Sequence, residues 1–156
     1  MKIEMNSIIE PKPNLDTLSK EESMWHVELP SAYREFIMEY NGAIPVNRSF
    51  VCRNQEYVID RFLCILNETE KSKFGSYDID VVLTQIEERL TDNEDLIGCE
   101  LLPIAQLFTG DYLCLNFKEN AVEPTVYVWN NEESEELEPV IYKVSNSFME
   151  FMSMLY

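Results

Sequence analysis

The chain has 156 residues, of which 46% are hydrophobic and 26% are charged, and its formal net charge is −17 at pH 7. This composition is typical of one soluble globular domain and excludes an intrinsically disordered chain. A chain this negative repels phosphate backbones and anionic lipids, so we expect neither a nucleic acid nor a membrane as its partner.

The first residues are predicted to be an irregular lead-in to a single domain. Pro11 and Pro13 disfavour a helix there, so we assign the lead-in to residues 1–18 and the domain to residues 19–156. No apolar run approaches the ~20 residues of a membrane span, and the start of the chain lacks the apolar region of a signal peptide. We therefore expect a cytoplasmic protein.

A short helix is predicted next, over about residues 19–27. Ser19 and Glu22 have the spacing of a capping box, in which each side chain bonds a backbone N–H of the first helical turn. The apolar side chains expected to face the core from this region are Met24, Trp25 and Leu29.

Residues 29–42 predict a complete helix with its own start and stop. Its apolar stripe at helical spacing consists of Tyr33, Phe36, Ile37 and Tyr40. Pro30 suits the first helical position, and Ser31 is an alternative cap. Asn41 and Gly42 tolerate the left-handed conformation in which helices often end, so the helix should stop there.

The pattern then changes to short segments of strand type. SFVCR, EYVID and RFLCIL, within residues 49–66, are rich in β-branched and aromatic residues. Residues 76–90 return to helical spacing, with Ser76 or Asp78 as the cap. The stripe of that helix is Ile79, Val82, Leu83, Ile86 and Leu90.

The second half predicts four strands and a last helix. The segments CELLPIAQL, DYLCLNF, TVYVWN and PVIYKV are joined by short turn-like groups, which favours antiparallel pairing. TVYVWN is apolar on both faces, so it should be central and covered on both sides. Ser147 and Glu150 form another capping box before a stripe of Phe148, Phe151, Met152 and Leu155. The predicted class is α+β, with N-terminal, middle and C-terminal helices on an antiparallel sheet.

No catalytic residue, metal site or cofactor site is predicted. The single histidine, His26, has no positioned partner that would make it a general base, and no glycine-rich phosphate loop is present. The cysteines, which lack metal-ligand spacing, are Cys52, Cys64, Cys99 and Cys114. Cys64 and Cys114 lie in apolar segments, which favours buried free thiols over a zinc site or disulfides.

Acidic residues are concentrated late in the chain. Residues 90–142 hold twelve acidic side chains and a single basic one, Lys118. The densest run is Glu132, Glu133, Glu135, Glu136 and Glu138. It is either a solvated hairpin tip that serves solubility or an anchor for a basic protein partner. Asp111 is a further candidate contact, although a carboxylate next to Gly110 more often supports a turn.

Six blocks in order resemble the SMI1/KNR4 family, also called the SUKH superfamily. They are LPSAYREFIMEYNG, RFLCIL, LLPIA, GDYLCLNF, VYVWN and SFMEFMSML, and the resemblance that they carry covers about residues 19–155. The positions that match the family's structural motifs are Leu29, Pro30, Tyr33, Phe36, Asn41, Gly42, Pro103, Gly110, Trp129, Phe148 and Phe151.

The resemblance implies an α+β fold and a role in binding rather than catalysis. Bacterial members of the family look mainly like immunity proteins that bind and block a cognate toxin, while a fungal branch is linked to cell-wall signalling. Because nuclease toxins are basic, the resemblance strengthens the partner-binding interpretation of the acidic residues 90–142 until it stands level with the solubility interpretation. A regulatory or scaffold module without a toxin partner is the alternative, and a small-molecule sensor is a third. The sequence does not define the oligomeric state.

Overall fold

The computed structural model describes residues 2–156, which form one antiparallel sheet and four α-helices. The strands pair in sequence order, from β1 to β6. They are β1 (Ser49–Cys52), β2 (Gln55–Phe62), β3 (Leu101–Leu107), β4 (Tyr112–Asn116), β5 (Thr125–Trp129) and β6 (Ile141–Ser145). The helices are α1 (Leu15–Trp25), α2 (Ser31–Glu39), α3 (Ile79–Ile86) and α4 (Phe148–Met154). The predicted α+β class is confirmed.

The first helix begins earlier than predicted and uses a different cap. α1 starts at Leu15, where the side chain of Asn14 accepts a hydrogen bond from the Thr17 N–H, so the capping box predicted at Ser19 is wrong. Glu22 instead ties α1 to the next helix, accepting from the Leu29 N–H and from Arg34. The core-facing residues are Leu18, Trp25 and Leu29, whereas Met24 is 64% exposed, contrary to prediction.

The second helix carries the predicted apolar stripe but is shorter than predicted at both ends. Pro30 is its N-cap rather than its first residue, and Ser31 makes no capping hydrogen bond. The helix ends at Glu39, and the chain reverses at Gly42, which has a φ of +66°. A Cβ at Gly42 would lie 2.4 Å from Cδ1 of Ile9, so both conformation and space require glycine there.

The first hairpin differs from the three predicted strand segments. β2 runs without interruption through Asp60, so EYVID and the start of RFLCIL belong to one strand. The chain leaves the sheet after Phe62, and Cys64 makes only an isolated parallel bridge with Asp78. Cys64 is nevertheless fully buried, as predicted. Asp78 caps α3 by accepting hydrogen bonds from the N–H groups of its first turn, which confirms the second of the two predicted caps.

The predicted strands of the second half are all present. Pro103 lies within β3, and the pairing with β4 shifts register between Pro103 and Ala105, which accommodates the missing N–H. Val128 and Trp129 are consecutive in β5 and both are 0% exposed, so this strand is covered on both faces as predicted. β5 pairs with β4 and β6.

The helices pack on the sheet through an aromatic cluster. Phe36 of α2 lies 4.7 Å from Phe62 of β2 and 5.4 Å from Phe148 of α4, measured between ring centroids. Phe151 of α4 packs edge-on against Phe50 of β1 at 5.1 Å. Such pairs add to the apolar area that each ring buries. The cluster therefore fixes α2 and α4 side by side.

The last helix has the cap predicted for it. The side chain of Ser147 accepts a hydrogen bond from the Glu150 N–H at 3.1 Å, and the Glu150 carboxylate accepts from the Asn146 N–H. The sheet curls until its two edges meet, since the Cys52 thiol of β1 donates to the Lys143 carbonyl of β6. Within residues 2–156, no helix has both the length and the apolar character needed to cross a bilayer.

Candidate functional site

The densest run of exposed acidic side chains lies in the connection between β5 and β6, residues 130–138, which we call the acidic loop. Its exposed acidic residues are Glu132, Glu133, Glu135, Glu136 and Glu138. Among residues 2–156, none of the five forms an ion pair. Glu133 accepts a hydrogen bond from the Tyr142 hydroxyl. Five carboxylates without an ion pair within seven residues make a dense negative potential, which lysine and arginine side chains of another molecule would neutralise.

The acidic loop is held in place by Arg89, which follows α3. The guanidinium donates to the carbonyls of Ser134 and Asn131 and to the Asn131 side chain, and it lies 4.9 Å from the ring centroid of Trp129. The Arg89 carbonyl in turn accepts from the indole N–H of Trp129 at 2.8 Å. The Leu137 N–H donates to the Glu88 carbonyl at 2.7 Å. Arg89 therefore bonds backbone carbonyls and the Asn131 side chain of the loop rather than its carboxylates.

Asp111 supports the base of the same loop. It is 6% exposed, and its carboxylate accepts hydrogen bonds from the Asn131 N–H and the Thr109 hydroxyl, each at 2.8 Å. The neighbouring Gly110, with a φ of +87°, forms the turn between β3 and β4. Both Asp111 oxygens are thus used inside the protein. The structure gives Asp111 the turn-supporting role rather than that of an exposed contact.

The acidic loop forms one wall of a cleft that we call the acidic cleft. Its volume is about 320 Å³, and the carboxylates that line it belong to Glu87, Glu88, Glu94 and Glu136. The first two come from the turn after α3, and Glu94 comes from the acidic turn before β3. Glu87 and Glu88 are not among the site residues predicted from the sequence. Their positions outside the apolar stripe of α3 were the available signal, because charged residues off such a stripe are exposed, as both are here.

Other acidic residues of the region are already paired. Asp92 lies 3.3 Å from the ammonium of Lys118, and Glu119 lies 2.9 Å from that of Lys143. Hydrogen bonds from Tyr127, Lys143 and Thr125 lower the pKa of Glu119 to about 2. These carboxylates are therefore less available to a partner than those of the acidic loop.

A second group of carboxylates lies where α1 meets α3. The Glu21 carboxyl faces that of Asp80, and its Oε2 atom is buried without a hydrogen-bond partner. Asp80 accepts a hydrogen bond from the Trp25 indole at 2.8 Å. Burial, the interaction with the adjacent Asp80 carboxyl and the charge of Asp78 raise the pKa of Glu21 to about 8. A proton shared between Glu21 and Asp80 gives the buried oxygen its partner.

We expect Glu21→Gln to stabilise the protein in alkaline solution. The folded pKa lies above the ordinary value of 4.5, so this carboxyl contributes stability below that value and loses it as the pH rises to about 8. Solvent reaches the half-buried carboxyl, so the expected gain is about 1–2 kcal/mol at about pH 9 and close to zero at about pH 4. Denaturant unfolding at both pH values measures the difference, with exposed Glu70→Gln as the control. An equal effect of Glu21→Gln at both pH values would contradict the shared proton.

The four cysteines are free thiols, three of them buried, and the single histidine is exposed. Burial raises the pKa values of Cys64 and Cys99 to about 12, helped by the charges of Asp78 and Asp80 respectively, so both thiols are protonated at neutral pH. His26 is exposed at the left-handed end of α1. Among residues 2–156, no three His, Cys, Asp or Glu side chains are arranged to hold a metal ion.

The chain is thus an α+β domain with a six-stranded antiparallel sheet and an unpaired acidic loop. The family model described as SMI1-KNR4 cell-wall matches residues 15–152. The chain belongs to this SMI1/KNR4 family of SUKH domains, which confirms the resemblance seen in the sequence motifs. No curated protein and no solved structure matches it.

Proposed function

We propose that this chain is an immunity protein that binds and neutralises a basic cognate toxin of nuclease type, without catalysis of its own. The observation that carries the proposal is the acidic loop, whose five glutamates are exposed and lack basic partners within residues 2–156. A nuclease domain presents lysine and arginine where it holds phosphates. An acidic inhibitor that covers such a groove competes directly with the substrate.

The fixed position of the acidic loop supports the same role. Arg89 and the bond from Leu137 to Glu88 hold the loop beside the acidic cleft, so its charges are preorganised. Preorganised charges steer encounter with an oppositely charged partner and lose little conformational freedom on binding. Glu136 belongs to the acidic loop and also lines the acidic cleft, so one basic surface can contact both.

The partner is identified by a pull-down with the tagged full chain from its own cells, washed at low and then at high salt. We expect a single basic, toxin-like protein that is released by salt. Recovery of a housekeeping protein alone would contradict the immunity role and favour a regulatory or scaffold module. Loss of the toxin's activity in the presence of the wild-type chain completes the test.

Replacing all five loop glutamates by glutamine is expected to slow association with that partner by about tenfold or more at low salt. The salt dependence of the association rate should also flatten, because fewer charges contribute to steering. Stopped-flow or surface plasmon resonance measurements give both quantities. The matched control replaces the exposed residues Glu4, Glu10, Glu28, Glu68 and Glu70 by glutamine. Equal slowing by the two variants would show that net charge, and not the acidic loop, drives binding.

A further inference from the structure

An apolar groove between α2 and α4 lies outside the acidic loop and the acidic cleft. Its volume is about 280 Å³, and Phe36 and Phe148 are among the residues that line it. Met149 and Met152 line the α4 side, and Met149 is 68% exposed. Methionine side chains are flexible and polarisable, which suits them to contact varied apolar groups. The aromatic cluster beneath keeps the two helices at a fixed separation.

The α2 side of the groove is acidic. Glu35 and Glu39, four residues apart, both line it and are exposed, and neither forms an ion pair within residues 2–156. Residues at this spacing lie one above the other on a helix. No lysine or arginine lines the groove. An apolar surface with one negative edge matches a segment that is apolar on one face and carries lysine or arginine beside it.

We propose that this groove binds a short basic amphipathic helix of a protein partner. Leucine-like side chains of that helix contact Met149, Met152 and the edge of Phe36, while its basic side chains reach Glu35 and Glu39. Helices that lie in grooves place their apolar anchors at the same three- and four-residue spacings. A second copy of this chain does not fit, because it would bring another net charge of −17 against the same glutamates. The proposal does not depend on the identity of a toxin.

The test uses a synthetic peptide of about 14 leucine and lysine residues, arranged so that all leucines share one helical face. It is titrated into the isotopically labelled full chain and followed by NMR and calorimetry. We expect chemical-shift changes confined to residues 32–40 and 148–152. A scrambled peptide of the same composition, which has the same charge but no apolar face, should bind at least about tenfold more weakly.

Two variants test the two halves of the site. Met149→Ser removes exposed apolar contact, and the double variant Glu35→Gln with Glu39→Gln removes the negative edge. Each should weaken binding of the amphipathic peptide about tenfold, whereas Glu68→Gln with Glu70→Gln should change it less than about twofold. Unfolding curves confirm that all variants remain folded.

Four results would overturn the proposal. The first is no binding of the peptide, and the second is equal binding of the scrambled peptide. The third is a set of shift changes at the acidic loop instead of the groove, which would show charge attraction alone. The fourth is a dimer of the free chain, detected by sedimentation, that the substitution Met149→Ser dissociates. Such a dimer would show that a second copy of the chain, and not a basic helix, occupies the groove.

Discussion

Asn41→Ala is expected to lower the free energy of unfolding by about 3–5 kcal/mol. Asn41 is 0% exposed, and its side-chain amide donates to the carbonyls of Ile9 and Ile65 at 3.0 and 3.2 Å. Its side-chain oxygen accepts from the Ile65 N–H at 2.9 Å. Alanine removes all three bonds at once and leaves buried backbone groups of two distant segments without partners, which costs more than the lost bonds alone.

Unfolding of the wild type and of Asn41→Ala in guanidinium chloride measures the difference in the free energy of unfolding. Exposed Asn47→Ala is the matched control and should change the stability by less than about 0.5 kcal/mol. Asn41→Asp separates shape from hydrogen bonding, because it keeps the size and the acceptor but loses both donors and adds a buried charge. It should therefore be at least as destabilising as alanine at neutral pH and should recover in acid. A loss below about 1 kcal/mol for Asn41→Ala would show that the segments are held by packing alone.

Asn41 also shows where sequence reasoning stops. Its type and its position before Gly42 predicted a helix end, and the helix ends two residues earlier, at Glu39. The larger role, joining Ile9, Ile65 and the end of α2, links Asn41 to residues as far as 32 positions away. No local pattern encodes that arrangement, because it depends on the lead-in folding back along the loop after α2. There the Ile9 N–H donates to the Asn41 carbonyl at 2.8 Å.

Periodicity predicted the elements whose burial is regular. α3 and α4 have one apolar stripe each, and a side-chain cap lies immediately before each of them. The start of α1 was missed because two residues, Asn14 and Ser19, are both good caps. Asn14 prevails because a start at Leu15 brings Leu18 into the helix, where its side chain is buried at 1% exposure. Burial of an apolar side chain outweighs the choice between two similar caps.

The candidate site could be predicted only in part. A run of five glutamates in a turn predicts exposure, and all five are exposed. The acidic cleft could not be predicted, since it joins Glu87 and Glu88 to Glu136 across nearly 50 residues of chain. The role of Arg89 could not be predicted from the sequence either. In EERL an arginine next to two glutamates suggests a local ion pair, yet its guanidinium bonds the carbonyls of Asn131 and Ser134.

Arg89→Ala is expected to lower the free energy of unfolding by about 2–4 kcal/mol and to release the acidic loop. The substitution removes the bonds to Ser134 and Asn131 and leaves the Ser134 carbonyl, on a residue only 4% exposed, without its charged donor. It also removes the contact with the Trp129 ring. Arg48→Ala is the control, because Arg48 lies over the Phe108 ring at 5.4 Å and should cost less than about 1 kcal/mol.

Amide hydrogen exchange locates the change within the protein. The Leu137 N–H, bonded to the Glu88 carbonyl, should exchange faster in Arg89→Ala, whereas the Trp129 indole should stay protected because its acceptor is a backbone carbonyl. Unchanged exchange at Leu137 would show that the loop does not need the guanidinium.

The Arg89→Ala variant is also one charge more negative than the wild type, so long-range steering alone would keep association with a basic partner at least as fast. A complex that forms as fast but dissociates sooner would therefore measure what the fixed geometry of the acidic loop contributes.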